Sequence, residues 1–175
     1  TLPTSLRELL LVRADVLSPN ARRTLRILAL AGSQVDDRSL AIVAQQPLDD
    51  VREHVREAID RRLLVPTATG TRFAHALLRE VLQDDLLVGE RAEYHAALAS
   101  LLDAEVARVG SNRAGALALL AHHRAGAGDM AGALQAWSSA ATAAEAIFAF
   151  AEAHHHLSRI IANWNRETST RALVG

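Results

Sequence analysis

Leu48, Val51, Val55, Ala58 and Ile59 fall on one side of a helix, and Arg52, Glu53, Arg56, Glu57 and Asp60 fall on the other. Apolar spacing of this kind runs along most of the chain, and it constrains the fold more than any other feature. A sequence with a 3.6-residue apolar period buries one stripe per segment and must pack helix against helix. The period changes in one place. Leu63-Leu64-Val65-Pro66 and Thr71-Arg72-Phe73 are short extended runs around the turn cluster Thr67 to Gly70, which predicts a β-hairpin.

The helix boundaries are written in local chemistry. Ser5-Leu6-Arg7-Glu8 reads as a capping box, opening a helix to about Leu17. Ser18-Pro19 pairs an N-cap with a proline at the first helical position, and Gly32 stops that helix. Asp36 and Asp37 cap a short helix to about Gln45, and Pro47 opens the next. After the hairpin, one helix is expected from His75 to about Leu87. A long one follows from Glu90 to about Val106, with Gly89 between them and Tyr94, Leu98, Leu101 and Leu102 on one side.

Val109-Gly110-Ser111-Asn112 is the candidate linker, and alanine dominates beyond it. Helices are expected over Ala114–Ala125, Met130–Ala146 and Phe148–Trp164, with a turn at Gly126-Ala127-Gly128-Asp129. Ala127, Ala131, Ala133, Ala136 and Ala140 place small side chains where helices approach closely, as in tetratricopeptide pairs of about 34 residues. Such a short stack buries its face poorly alone. The start, Thr1-Leu2-Pro3-Thr4, is neither a signal peptide nor an initiator methionine, so the natural chain is expected to extend further at both ends.

Composition narrows the function classes. Half of the 175 residues are apolar but only 3% are aromatic, which suits packed helices better than a sandwich or barrel. Cysteine is absent, which excludes disulfides, zinc–cysteine sites and thiol catalysis and favours a cytoplasmic setting. No apolar run approaches the roughly 18 residues of a membrane span. The net charge of −1 gives no overall pull toward nucleic acid or membrane.

Several of these segments, taken in order, resemble a known family. Leu2-Pro3-Thr4-Ser5-Leu6-Arg7 with Arg13, then Leu17-Ser18-Pro19, then Leu28-Ala29-Leu30-Ala31-Gly32, is similar to the segment after the nucleotide-binding domain of MalT-like, ATP-dependent LuxR-family regulators of the STAND class. Phe73-Ala74-His75-Ala76-Leu77-Leu78-Arg79-Glu80, Gly89-Glu90-Arg91-Ala92-Glu93-Tyr94-His95, and Ala127-Gly128-Asp129 with Ala133 and Trp137 extend the likeness over essentially the whole chain. The resemblance implies a winged-helix module over residues 1–108 and the start of antiparallel, tetratricopeptide-like repeats over 112–175. It implies ATP or ADP with magnesium in the full-length protein, held by an ATPase domain of the same parent chain. It implies an inducer or partner protein at the repeats, and DNA contact only through a C-terminal domain outside this sequence. The chain departs from the family in having no G-x-x-x-x-G-K-[ST] loop and no lysine at all, so it cannot carry a Walker A site. This fragment is therefore expected to hold no cofactor by itself and to be no enzyme.

His75 is the leading candidate residue, set where the hairpin ends and a helix begins. Backbone N–H groups there favour anions, and an imidazole could donate to a phosphate oxygen. By resemblance, His75 would touch the ADP phosphate that holds such proteins closed; the alternative is a histidine that caps the helix locally. Arg79, one turn on, could assist the phosphate, though pairing with an acidic neighbour is favoured. His95 is expected to be packed structure. His122-His123 and His154-His155-His156 invite a metal reading, but consecutive helical residues point about 100° apart, so no metal site is assigned.

Two alternatives belong to other classes. One is a free-standing winged-helix DNA-binding protein with a helical dimerisation tail. Its reading helix would begin with Asp49-Asp50, and residues 1–85 balance twelve arginines against twelve acids, which does not suit phosphate contact. The other is a pure helical scaffold. No nucleophile elbow or metal motif supports independent catalysis, and Asp84-Asp85 and Asp49-Asp50 sit where acids are ordinary.

Overall fold

The computed structural model describes residues 4–32, 35–68, 70–106 and 113–174, with side chains from 7 to 164. The chain is mostly helical with one small antiparallel sheet, and it divides into two compact units, Thr1–Tyr94 and His95–Gly175. The linker expected at Val109–Asn112 lies outside the described residues, as do the Ser5 side chain of the expected capping box and Thr69 of the turn.

In the first unit, α1 (Thr4–Asp15), α2 (Pro19–Ala31), α3 (Asp37–Ala44) and α4 (Leu48–Asp60) precede β1 (Leu64–Thr67) and β2 (Gly70–Phe73), and α5 (Ala76–Asp84) follows. The boundaries follow the local signals. The Ser18 hydroxyl accepts from the Ala21 N–H at 3.2 Å with Pro19 at the first turn, and the Asp36 carboxylate accepts from the Ser39 N–H at 2.7 Å. Gln45 ends α3 in the left-handed region, with the Gln46 N–H returning to the Ala41 carbonyl at 3.0 Å.

Ala21, Thr24, Leu25, Ile27, Leu28, Ala29, Leu30 and Ala31 are all buried, so α2 is covered on most sides. It is the central helix, packed against α3, α4 and α5. The α4 stripe packs inward through Val51, Val55 and Ala58, and Ile59 is half-buried. The sheet register pairs Leu64 with Phe73 and Thr67 with Gly70. Leu63 and Leu64 are buried, which ties the hairpin to the core. Arg7 with Asp84 and Arg26 with Asp85 form ion pairs that link α1 and α2 to the end of α5.

Several helix boundaries differ from expectation: α5 ends at Asp84 and not at about Leu87, and α9 continues past Trp164. The helix α6 runs Val88–Val106, so Gly89 lies inside its first turn instead of preceding it. The helix α7 runs Arg113–Gly126 and takes in Gly126, leaving Ala127–Asp129 as the turn. The helix α9 runs Phe150–Val174: Phe148 has a φ of 61°, which breaks the helix before it.

The second unit holds the rest of α6, then α7, α8 (Met130–Glu145) and α9. A three-residue link leaves α8 room only to run back along α7, and α8 packs on both α7 and α9. Small residues permit the approach: Ala133, Ala136, Ala140, Ala141 and Ala144 of α8 are buried, around Trp137. Ala99, Leu117, Leu120 and Ala121 pack into the same cluster.

The link is held by its own chemistry. Gly128 has a φ of +85°, and the Asp129 carboxylate accepts from the Gly132 N–H at 2.9 Å. A Cβ on Gly132 would stand 2.1 Å from the Asp129 carboxylate, so only glycine fits under that cap. Arg124 donates to the Gly132 carbonyl at 3.2 Å and to both oxygens of Asp103 at 2.7 Å, which ties α6 to the turn.

Candidate functional site

Two groups of residues in the two units can carry chemistry. In the first unit, His75 is the N-cap residue of α5, in extended conformation and exposed, and its side chain makes no capping hydrogen bond. The local-cap alternative for His75 is therefore not what holds it. Arg79 lies one turn along α5, where its Nε donates to the Ala29 carbonyl at 2.8 Å. Gln83, a further turn on, donates to the same oxygen. Ala29 lies in the last turn of α2, whose carbonyls have no partner within the helix, and a guanidinium there also meets the negative end of the helix dipole. Among the described residues, Arg79 forms no ion pair. Its expected acidic partner is replaced by a helix end.

Arg79 also lines a cavity of about 240 Å³ at the base of the hairpin, with Arg72, Thr71, Phe73, Leu28 and Gly32. Gly32 has a φ of +84°, and a Cβ there would lie 3.7 Å from the Arg79 guanidinium. The cavity thus has two arginines on its wall and apolar side chains beneath. His75 is not among its lining residues, so the structure does not bring His75 and Arg79 into one pocket.

The second group was not anticipated. His95 of α6 and His122 and His123 of α7 lie together, each offering one ring nitrogen, and these atoms all fall within 4.8 Å of one another. The His95 and His123 Nδ1 atoms are 2.8 Å apart, a hydrogen bond in which one ring donates and the other accepts. Ring centroids are 5.0 Å apart for His95 and His123, 5.2 Å for His122 and His123, and 5.5 Å for His95 and His122. His95 and His123 are buried; His122 is exposed. Burial and the neighbouring His95 and His122 push His123 down to about 3, so at neutral pH it is an uncharged imidazole.

The packing explains how neighbours on one helix meet. His122 and His123 diverge around α7, as consecutive residues must. The third ring, from α6, stands about equally far from both and completes the group. Gly126 makes the space: a Cβ there would stand 2.6 Å from the His95 ring carbons. The sequence expectation that His95 is packed structure holds for its burial, and its neighbours include the two other histidines. The one local signal was a glycine three residues after His123, at the end of an alanine-rich helix.

The triplet at 154–156 is different. His156 is buried with its Nδ1 lacking a hydrogen-bond partner among the described residues, while His154 and His155 are exposed. Burial and the neighbouring His155 hold His156 below the usual histidine range, opposed by Glu152. No metal-spaced group forms there among the described residues.

No helix among the described residues is long and apolar enough to cross a membrane. Comparison with protein-family models, curated proteins and solved structures found no match to the chain.

Proposed function

We propose that this chain is a regulatory module of an ATP-dependent signalling protein of the MalT-like kind. In this reading the first unit is a winged helix, with α2 to α4 as its helices and β1–β2 as its wing. The second unit begins a tetratricopeptide-like array. The module docks on an ATPase domain of the same parent chain in the cytoplasm and biases it between an ADP-held resting state and an ATP-bound active state. A nucleotide can shift such an equilibrium only through contacts that differ between the states. The observation that carries the reading is at the hairpin base: Arg72 and Arg79 line one cavity, and the exposed His75 stands at the open N-terminus of α5. Two guanidiniums and a helix N-terminus are donors suited to phosphate.

The repeats would bind an inducer or partner protein. The exposed row Leu157, Ile161 and Trp164 on α9 supports an apolar docking face. The DNA-reading alternative fares worse. Asp49 and Asp50 open α4, and Arg52 is engaged by Asp49 at 3.2 Å and Asp37 at 3.7 Å, which leaves little positive charge on that helix.

The test is the ADP content of the protein purified with its natural flanking sequence, wild type against His75→Ala. Wild type retaining ADP that the variant loses supports the latch. Equal retention removes His75 from the site, and no nucleotide in either removes the ATPase reading.

A further inference from the structure

We propose that His95, His122 and His123 form a binding site for a divalent transition-metal ion, zinc being the best fit, with three imidazole nitrogens as protein ligands and water as the fourth. The proposal does not depend on the nucleotide reading, since all three residues belong to the second unit.

The geometry is close to what the ion requires. Three imidazoles bound at about 2.0–2.1 Å in a tetrahedron place their nitrogens about 3.4 Å apart and their ring centres about 5.2 Å apart. The observed ring centres are 5.0, 5.2 and 5.5 Å apart, and the nitrogens lie within 4.8 Å of one another. The Nδ1 atoms of His95 and His123, at 2.8 Å, have to part by about 0.6 Å, and any pair near the 4.8 Å limit has to close toward about 3.4 Å. Rotation of the rings about their side-chain torsions is the adjustment the ion would require.

The site is built. His95 is 5% exposed and His123 is 1% exposed, so their rings are held by packing. Gly126 is shaped to the His95 ring, and no larger residue fits there. His122 faces solvent, which gives the ion a way in and leaves the fourth position open to water. With no carboxylate or thiolate in the group, neutral nitrogen donors select zinc(II), copper(II), nickel(II) or cobalt(II) over magnesium or calcium.

The test is titration of zinc chloride, followed by calorimetry, into the full chain carrying no affinity tag and stripped by chelator. The variants are His122→Ala and His122→Asn, whose exposed position spares the core, and His154→Ala as a control from the other histidine group. One zinc per chain is expected, with affinity falling at least tenfold in both His122 variants and unchanged in His154→Ala. Cobalt(II) in place of zinc should give the intense visible bands of a tetrahedral ion. No zinc binding by wild type, binding unchanged by both His122 substitutions, or binding lost in His154→Ala overturns the proposal.

Discussion

Gly126 lies directly against the imidazole of His95, so close that a Cβ at 126 would stand 2.6 Å from two of its ring carbons. Glycine near a helix end costs stability compared with alanine. Here the cost is offset by the ring it admits.

The relationship sets a sign opposite to helix propensity. Gly126→Ala gains up to about 1 kcal/mol of helix propensity, but it overpacks a buried ring, which typically costs about 1–3 kcal/mol. The net expectation is a loss of about 1 kcal/mol in urea denaturation. Gly89→Ala is the control: nothing lies within 4 Å of the added methyl, and stability should rise by up to about 1 kcal/mol. If Gly126→Ala stabilises as Gly89→Ala does, the His95 ring is not held where it lies.

Acid should destabilise the second unit. His123 is held at about 3 by burial and by His95 and His122, against an ordinary value of 6.5. His156 is lowered by burial and His155, with Glu152 opposing. A histidine whose folded value is depressed is neutral in the fold and takes up a proton on unfolding. Its contribution is fully present above 6.5 and is lost as pH falls below it. For His123 the loss is about 1.4 kcal/mol per pH unit, or roughly 2 kcal/mol by about pH 5, and His156 adds in the same direction. Denaturant midpoints measured with chelator present, at neutral pH and in acetate, should fall accordingly. A midpoint that does not move would show these rings to be solvated.

What the sequence made legible was local. Ser18-Pro19 and Asp36 cap helices because a short polar side chain reaches a backbone N–H three residues on. The hairpin was legible because the apolar period changed at Leu63. The histidine group was not, because it depends on where α6 lies against α7, and no spacing within one helix encodes that. The end of α8 shows the same limit. Phe148 breaks the helix with a positive φ, a conformation its residue type does not announce.

His75 and Arg79, which the sequence placed on one face, do different things in the structure, and their variants should behave differently. Arg79 and Gln83 both donate to the Ala29 carbonyl, so α5 closes the end of α2. Arg79→Ala removes a charged donor from that oxygen while Gln83 still satisfies it. Arg79 is itself exposed, so the expected loss is modest, about 1 kcal/mol of the first unit's stability. His75 is exposed and makes no cap bond, so His75→Ala should change stability by less than about 0.5 kcal/mol. Urea denaturation of the two variants checks both values. The difference decides how nucleotide measurements are read. A loss of ADP in Arg79→Ala could follow from loosening α2, whereas the same loss in a fully stable His75→Ala protein would have to come from the contact itself. Should His75→Ala prove as destabilising as Arg79→Ala, His75 is part of the scaffold and its assignment to a phosphate falls.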